Sequence, residues 1–180
     1  EELKKVIGLK HDNLIKYYDA ILLKAPSVYD ENATMQAAII ELANAGDLND
    51  YMKTFPDLNS LKKIVADILN GLQHLHENGV IHRDIKPQNI LMHRRNGVWK
   101  AKIADFGLAK RVSQKGAASS RLLGTMEYMA PEQFATHKFG INGQLGTNVD
   151  LWSFGVILFE LFTGDLPFGG RNEGVSHEQV

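Results

Sequence analysis

The apolar positions of this chain change their period several times, and each change marks an element. Leu61, Ile64, Val65, Ile68, Leu69, Leu72 and Leu75 recur at helical spacing, which predicts a helix over 61–76 with one face turned to a core. Asn59 or Ser60 is placed to cap its start, and Asn78-Gly79 to end it. Upstream, two apolar stretches rich in β-formers, 14–23 and 35–42, read as strands. They are separated by Ala25-Pro26-Ser27 and Asp30-Glu31-Asn32. Asn44-Ala45-Gly46-Asp47 breaks the second strand, and a short helix is expected after it, through Phe55. Before the first strand, Leu3, Val6 and Ile7 read as the end of a helix that Gly8 weakens. Further on, the short apolar runs 90–92 and 98–104 flank Asn96-Gly97, a strong hairpin turn signal. Residues 105–131 have little periodicity and much Gly, Ser and Ala. A loop of that length inside a compact domain is usually functional or mobile. The last strong element, 147–163, is apolar almost all round, which predicts a central buried helix. Gly164, Pro167, Gly169 and Gly170 end it, and the tail beyond Arg171 is polar.

These elements fit one domain, with no convincing linker and no internal repeat. The 180 residues are enough to bury roughly 70% of the unfolded surface. A formal net charge of -1 provides no bulk field that would draw the chain to nucleic acid or an acidic membrane. The absence of cysteine excludes disulfides and thiolate metal sites and leaves the compartment open. The charged first ten residues do not look like a signal peptide. The longest apolar run, 151–162, is interrupted by Glu160 and is shorter than the roughly 20 residues a membrane span needs. The expectation is a cytoplasmic protein with no membrane span and no nucleic-acid partner.

The chemistry lies in two loops. His82-Arg83-Asp84-Ile85-Lys86-Pro87-Gln88-Asn89 follows the long helix, and Asp105-Phe106-Gly107 follows the hairpin. Only the hairpin separates them, so both loops should emerge on one edge of it, bringing Asp84, Asn89 and Asp105 together. Phosphoryl transfer needs an oriented nucleophile and divalent metal bridging the phosphate oxygens. Asp105 and the amide of Asn89 offer the oxygen ligands a hard ion such as Mg2+ prefers. Asp84 is able to accept a hydroxyl proton, and Lys86 to neutralise charge on the transferring phosphate.

These strings together resemble the catalytic and metal-binding loops of protein kinases. Three more segments resemble the family in the correct order. Ile39-Ile40-Glu41-Leu42-Ala43 is similar to the hinge between the lobes. Gly124-Thr125-Met126-Glu127-Tyr128-Met129-Ala130-Pro131-Glu132 is similar to the end of an activation segment. Asp150-Leu151-Trp152-Ser153-Phe154-Gly155 is similar to the start of the central helix.

The resemblance covers residues 1–168 and implies a two-lobed α+β fold. Residues 1–43 would be the remainder of the small lobe and hinge, and 44–180 most of the mainly helical large lobe. It further implies an ATP-dependent serine/threonine kinase. Asp84 would orient the substrate hydroxyl or act as its base, and Asn89 and Asp105 would hold Mg2+. Backbone groups of Glu41 and Ala43 would meet the adenine edge. Ile40 would be the gatekeeper, Leu91 the adenine floor, and Asp47 a ribose contact. Lys86 and Thr125 point to Ser or Thr rather than Tyr as the acceptor on a protein substrate. Glu2, nine residues before His11, would pair with a phosphate-binding lysine.

The pattern is also broken in places. No G-x-G-x-x-G occurs, and no lysine-bearing strand precedes Glu2, so the resemblance implies a domain trimmed at both ends, with very low activity as the isolated chain. Arg83 before Asp84 implies control by an upstream kinase. Arg121 stands where the phosphorylated residue usually lies, which leaves Ser119 and Ser120 nearby, Ser120 being the expected site. The glycine-rich text at 139–146 looks like a surface insertion and loosely resembles kinases of innate-immune signalling.

Plainer readings stand beside these. His82 would be a packing residue against Phe106, and His74, His76 and His93 surface or packing residues without metal partners. Asp150 is readable as a helix cap, or, from the resemblance, as an acceptor for the catalytic-loop backbone. A pseudokinase scaffold would not need all of Asp84, Asn89 and Asp105. A small-molecule phosphotransferase of related fold would lack the segment 124–132.

Overall fold

The computed structural model of the chain describes residues 8–24, 34–105, 126–134 and 145–168. The expected N-terminal helix with Glu2, the stretch 106–125 with Phe106, Ser119, Ser120 and Thr125, residues 139–144 of the glycine-rich text at 139–146, and the polar tail lie outside the described residues.

Strand β1 (Tyr17–Lys24) pairs antiparallel with β2 (Thr34–Ile40), with Tyr17 opposite Ile40 and Lys24 opposite Thr34. β1 begins later than the apolar pattern predicted because the residues before it pair elsewhere. The Ile15 amide donates to the Ile103 carbonyl at 2.9 Å, and the Ile103 amide donates to the Asn13 carbonyl at 2.9 Å. The buried Asn13 side-chain amide adds a bond to the Ala101 carbonyl at 3.1 Å. This joins the small sheet to β3 (Ile90–Arg95) and β4 (Val98–Ile103), which form the expected hairpin. Asn96 and Gly97, with φ of 51° and 79°, make its turn, the conformation a tight right-twisted hairpin requires.

Helix α1 (Leu48–Met52) starts at a reciprocal cap. The Asp50 amide donates to the Asp47 side chain, and the Asp47 amide donates to that of Asp50. Gly46 lies in the left-handed region at φ +72°, and a Cβ there would come within 2.5 Å of Asp50 Oδ2, so the turn into α1 requires glycine twice over.

Helix α2 (Leu58–Glu77) starts three residues before its apolar pattern. Its cap is Asp57, not Asn59 or Ser60, whose amides instead donate to Asp57 Oδ1 at 2.8 and 2.9 Å. The first turn carries an exposed Leu58, so the apolar stripe that reveals the helix starts only at Leu61. Ile64, Ile68, Leu72 and Leu75 are fully buried against β4 and the segment before β1, each contributing about 1.5–3 kcal/mol of burial.

Gly71 marks the closest approach of α2 to its neighbours. A Cβ there would stand 2.8 Å from the Asn13 carbonyl and 2.9 Å from Ile103 Cδ1. Alanine normally gains about 1 kcal/mol over glycine inside a helix. Here overpacking against backbone costs about 1–3 kcal/mol and dominates. Gly71→Ala is therefore expected to lower the urea midpoint, and a raised midpoint would show that this contact yields without strain.

Downstream lie α3 (Pro131–Phe134) and α4 (Asn148–Thr163), the latter ended by Gly164 at φ +80°, whose amide donates to the Glu160 carbonyl at 2.8 Å. Val149, Phe154, Val156 and Ile157 are buried as expected of a central helix. The burial is one-sided among the described residues. Leu151, Phe159 and Phe162 are 51%, 44% and 52% exposed and share one stripe of α4. No helix among the described residues is long and apolar enough to cross a membrane.

Candidate active site

The loop between α2 and β3 is held from below by one buried carboxylate. Asp150 on α4 accepts from the amides of His82 at 2.9 Å and Arg83 at 2.7 Å, and lies 2.8 Å from His76 Nε2. It caps nothing in its own helix. The plain-cap reading thus gives way to the other one, and His76 gains a partner the sequence did not suggest. The Arg83 carbonyl accepts from Gln133 on α3 at 2.9 Å. These bonds hold Arg83 at φ +69°, a conformation that costs a non-glycine residue on the order of 1–3 kcal/mol.

His82 is fully buried and works as a strut. Its Nδ1 accepts from the Asp84 amide at 3.2 Å, so Nε2 carries the proton and donates to the Ala104 carbonyl at 2.7 Å. Ala104 in turn donates to the Asn89 carbonyl at 2.8 Å. His82 and Asn89 therefore fix both sides of Ala104, and with it the position of Asp105. Asp105 is exposed and also left-handed, at φ +60°. Tyr17 of β1 borders it. Burial and the Asp105 carboxylate push the Tyr17 hydroxyl up to about 12, against a hydrogen bond to the Asp105 backbone that lowers it.

Within this frame Asp84, Lys86 and Asn89 converge. Lys86 Nζ donates to Asp84 Oδ2 at 2.8 Å. The buried Asn89 amide nitrogen donates to the Asp84 carbonyl at 2.7 Å and to Oδ2 at 3.1 Å. Both donors hold the same carboxylate oxygen. Asp84 Oδ1 is buried with no hydrogen-bond partner among the described residues, an arrangement native structures rarely keep without a use for it. With its nitrogen committed to Asp84, the Asn89 side chain keeps its amide oxygen as a further acceptor. No group of three or more His, Cys, Asp or Glu that could hold a metal occurs among the described residues. Two oxygen ligands suit an ion such as Mg2+, which keeps most of its shell for water and phosphate.

Beside this loop lies an open cleft of about 480 Å3, within the range of small-molecule sites. Ile40, Glu41, Ala43, Asp47 and Leu91, all singled out in the sequence, line it together. Gly46, Asp50 and Gln88 line it too and were not singled out; the Asp47–Asp50 capping spacing was the available signal. The cleft is shaped by backbone pairing of residues 45–47 with β3. Ala45 donates to the Met92 carbonyl at 3.0 Å and Met92 to the Gly46 carbonyl at 2.9 Å. The Asn44 side chain reproduces such a pair with the Arg94 backbone, at 3.1 and 2.9 Å. The Glu41 carbonyl and both backbone groups of Ala43 have no backbone partner among the described residues.

The Glu41 side chain is occupied by Lys102. Burial works to raise its carboxyl, but the hydrogen bonds from Lys102 and the Lys16 amide outweigh burial and hold it below the ordinary glutamate value. Glu160 is the other buried carboxylate on α4. It accepts the Tyr128 hydroxyl at 2.7 Å, tying the 3-10 turn Met126–Tyr128 to the helix, and Ser153 Oγ donates to the Tyr128 carbonyl at 2.6 Å.

The family model for the protein kinase domain matches residues 1–180. Calcium-dependent protein kinase 6 of Plasmodium berghei is 38% identical over 174 residues, 95% of this chain and 10% of that protein. The serine/threonine-protein kinase cds1 of Schizosaccharomyces pombe is 35% identical over 152 residues, 83% of this chain and 32% of that protein. The human serine/threonine-protein kinase ULK1 is 34% identical over 176 residues, 93% of this chain and 15% of that protein. The chain thus spans a third or less of the length of these relatives, and identities this close do not single out one subfamily. With the domain model matched from end to end and kinases of the serine/threonine class as its relatives, this chain belongs to the protein kinase family.

Proposed function

We propose that this chain is the catalytic core of a serine/threonine protein kinase, moving the γ-phosphate of ATP to a hydroxyl of a protein substrate. The single observation that carries the reading is the unpaired Oδ1 of Asp84, held in place through its sister oxygen by Lys86 and Asn89. An acceptor so placed suits an incoming hydroxyl, whose proton it receives or whose oxygen it orients. ATP occupies the cleft in this reading. Its purine lies between Ile40 and Leu91, its edge meets backbone groups of Glu41 and Ala43, and its ribose is near Asp47. Asp47 Oδ1 already caps α1, so Oδ2 is the oxygen offered to the ribose.

Asn89 and Asp105 hold Mg2+, which when bound supplies charge neutralisation along the phosphates. Lys86 sits beside Asp84, where it neutralises charge on the transferring group. Thr125 completes the preference for Ser and Thr, and Glu2 pairs with a phosphate-binding lysine; both belong to the proposal alone. So do the division into a small-lobe remnant at 1–43 and a large lobe at 44–180, the cytoplasmic setting and the upstream kinase acting at Ser120. Supporting that last part, Arg83 Nε is buried with no partner among the described residues and is suited to a phosphate.

The test is transfer from γ-labelled ATP to a mixed protein substrate, followed by phosphoamino-acid analysis, with and without Mg2+. The expected label is on Ser and Thr, only with Mg2+, and lost in Asp105→Ala. Label on Tyr, or transfer unaffected by Asp105→Ala, would overturn the reading.

A further inference from the structure

The two ends of the small sheet are fastened to the same strand of the large lobe. The entry, Asn13–Ile15, is bonded to β4 through backbone and through the Asn13 side-chain amide. The exit, at Glu41, is bonded to β4 through one side chain. Lys102 Nζ donates to both Glu41 oxygens, at 2.9 Å each, with its side chain 9% exposed. Glu41 is held at the same time by its neighbour across the sheet. Its amide donates to the Lys16 carbonyl at 2.8 Å, and its Oε2 accepts from the Lys16 amide at 3.2 Å. The Glu41 side chain therefore leaves no slack in the backbone that follows it into the cleft.

Lys102 is also placed against the cleft floor. It stands directly across the hairpin from Leu91, so the two side chains share one face of the sheet. His93 shares that face, with Nε2 3.9 Å from Glu41 Oε1, beyond hydrogen-bond range. Burial keeps the His93 ring below its ordinary value, against the pull of the Glu41 carboxylate and with Lys102 adding to the lowering.

We infer that Lys102 is a positioning residue for purine recognition: its bidentate bond to Glu41 sets the Glu41–Ala43 backbone at the height where it meets the six-position edge of an adenine. The inference rests on the reading of the cleft as the ATP site. Glu41 and Lys102 need not touch the nucleotide. Without Lys102, Glu41 would be left as a poorly solvated carboxylate, and the segment would shift to hydrate it.

The experiment compares Mg·ADP with Mg·IDP, whose purine carries a carbonyl where adenine carries an amino group, by calorimetric titration of the wild-type chain, Lys102→Met and Lys102→Arg. The wild type should prefer ADP. Lys102→Met should lose about tenfold or more in ADP affinity, the scale of a lost charge-assisted pair, with little change for IDP, so the preference collapses. Lys102→Arg should retain it. A merely structural loss would weaken both nucleotides alike.

Unchanged or tighter ADP binding in Lys102→Met, with the preference kept, would overturn the inference while leaving the cleft assignment intact. A wild type with no preference for ADP would overturn the cleft assignment itself, and the inference with it. Should Lys102→Met not fold, the isosteric Glu41→Gln decides. It should reduce the preference and speed amide exchange at residues 41–45 without speeding exchange in α2. An intact preference with unaltered exchange would refute the role.

Discussion

Asp150→Ala is expected to cost about 3–5 kcal/mol of stability and to abolish phosphoryl transfer even in the fraction that remains folded. The carboxylate is completely buried and accepts two backbone amides of the loop that carries Asp84. Alanine leaves both amides buried without acceptors, removes the partner of His76, and takes away what holds Arg83 at positive φ. The loop then relaxes toward ordinary backbone angles, and Asp84, the next residue, moves with it. Urea unfolding followed by circular dichroism measures the first effect. Transfer assayed well below the midpoint measures the second. A variant within about 0.5 kcal/mol of wild type, the usual range for an unremarkable surface change, would show that these bonds are replaceable.

Asp84→Asn has the largest expected effect on chemistry and the smallest on structure. The amide keeps the shape of the carboxylate and one oxygen for Lys86 and Asn89. It loses the basic oxygen that stands unpaired at Oδ1. Removing a positioned proton acceptor typically costs about 10²–10⁴ in rate. Nucleotide affinity should change little, because Asp84 is not among the residues lining the cleft.

The sequence revealed elements wherever burial leaves a periodic trace. The stripe from Leu61 to Leu75 and the turn Asn96-Gly97 mark α2 and the β3–β4 hairpin because each pattern is local. The cap at Asp57 was missed because the first turn of α2 is solvated and carries no stripe. The exposed side of α4 was missed for a different reason: composition says that a helix is apolar, not which neighbours cover it.

The site divides in the same way. Asp84, Lys86 and Asn89 were legible because one short loop carries them all. Lys102 with Glu41, 61 residues apart, and His76 with Asp150, 74 apart, have no local signature, and only the folded chain brings them together. Glu160 was visible only as an interruption of an apolar run. Its reason is the Tyr128 hydroxyl, which arrives from another segment. Asp50 borders the cleft because the α1 cap bonds its side chain back to the Asp47 amide, which spacing hints at and geometry decides.

The measurement that tests the central claim most directly is the rate of phosphate transfer from labelled ATP and Mg2+ to a serine/threonine protein substrate, in wild type and Asp84→Asn side by side, with ADP affinity measured in both. The account predicts slow transfer in the wild type, well below that of an intact kinase, a loss of about 10²-fold or more in the variant, and matching affinities. Transfer that survives in Asp84→Asn would contradict the role of the unpaired oxygen.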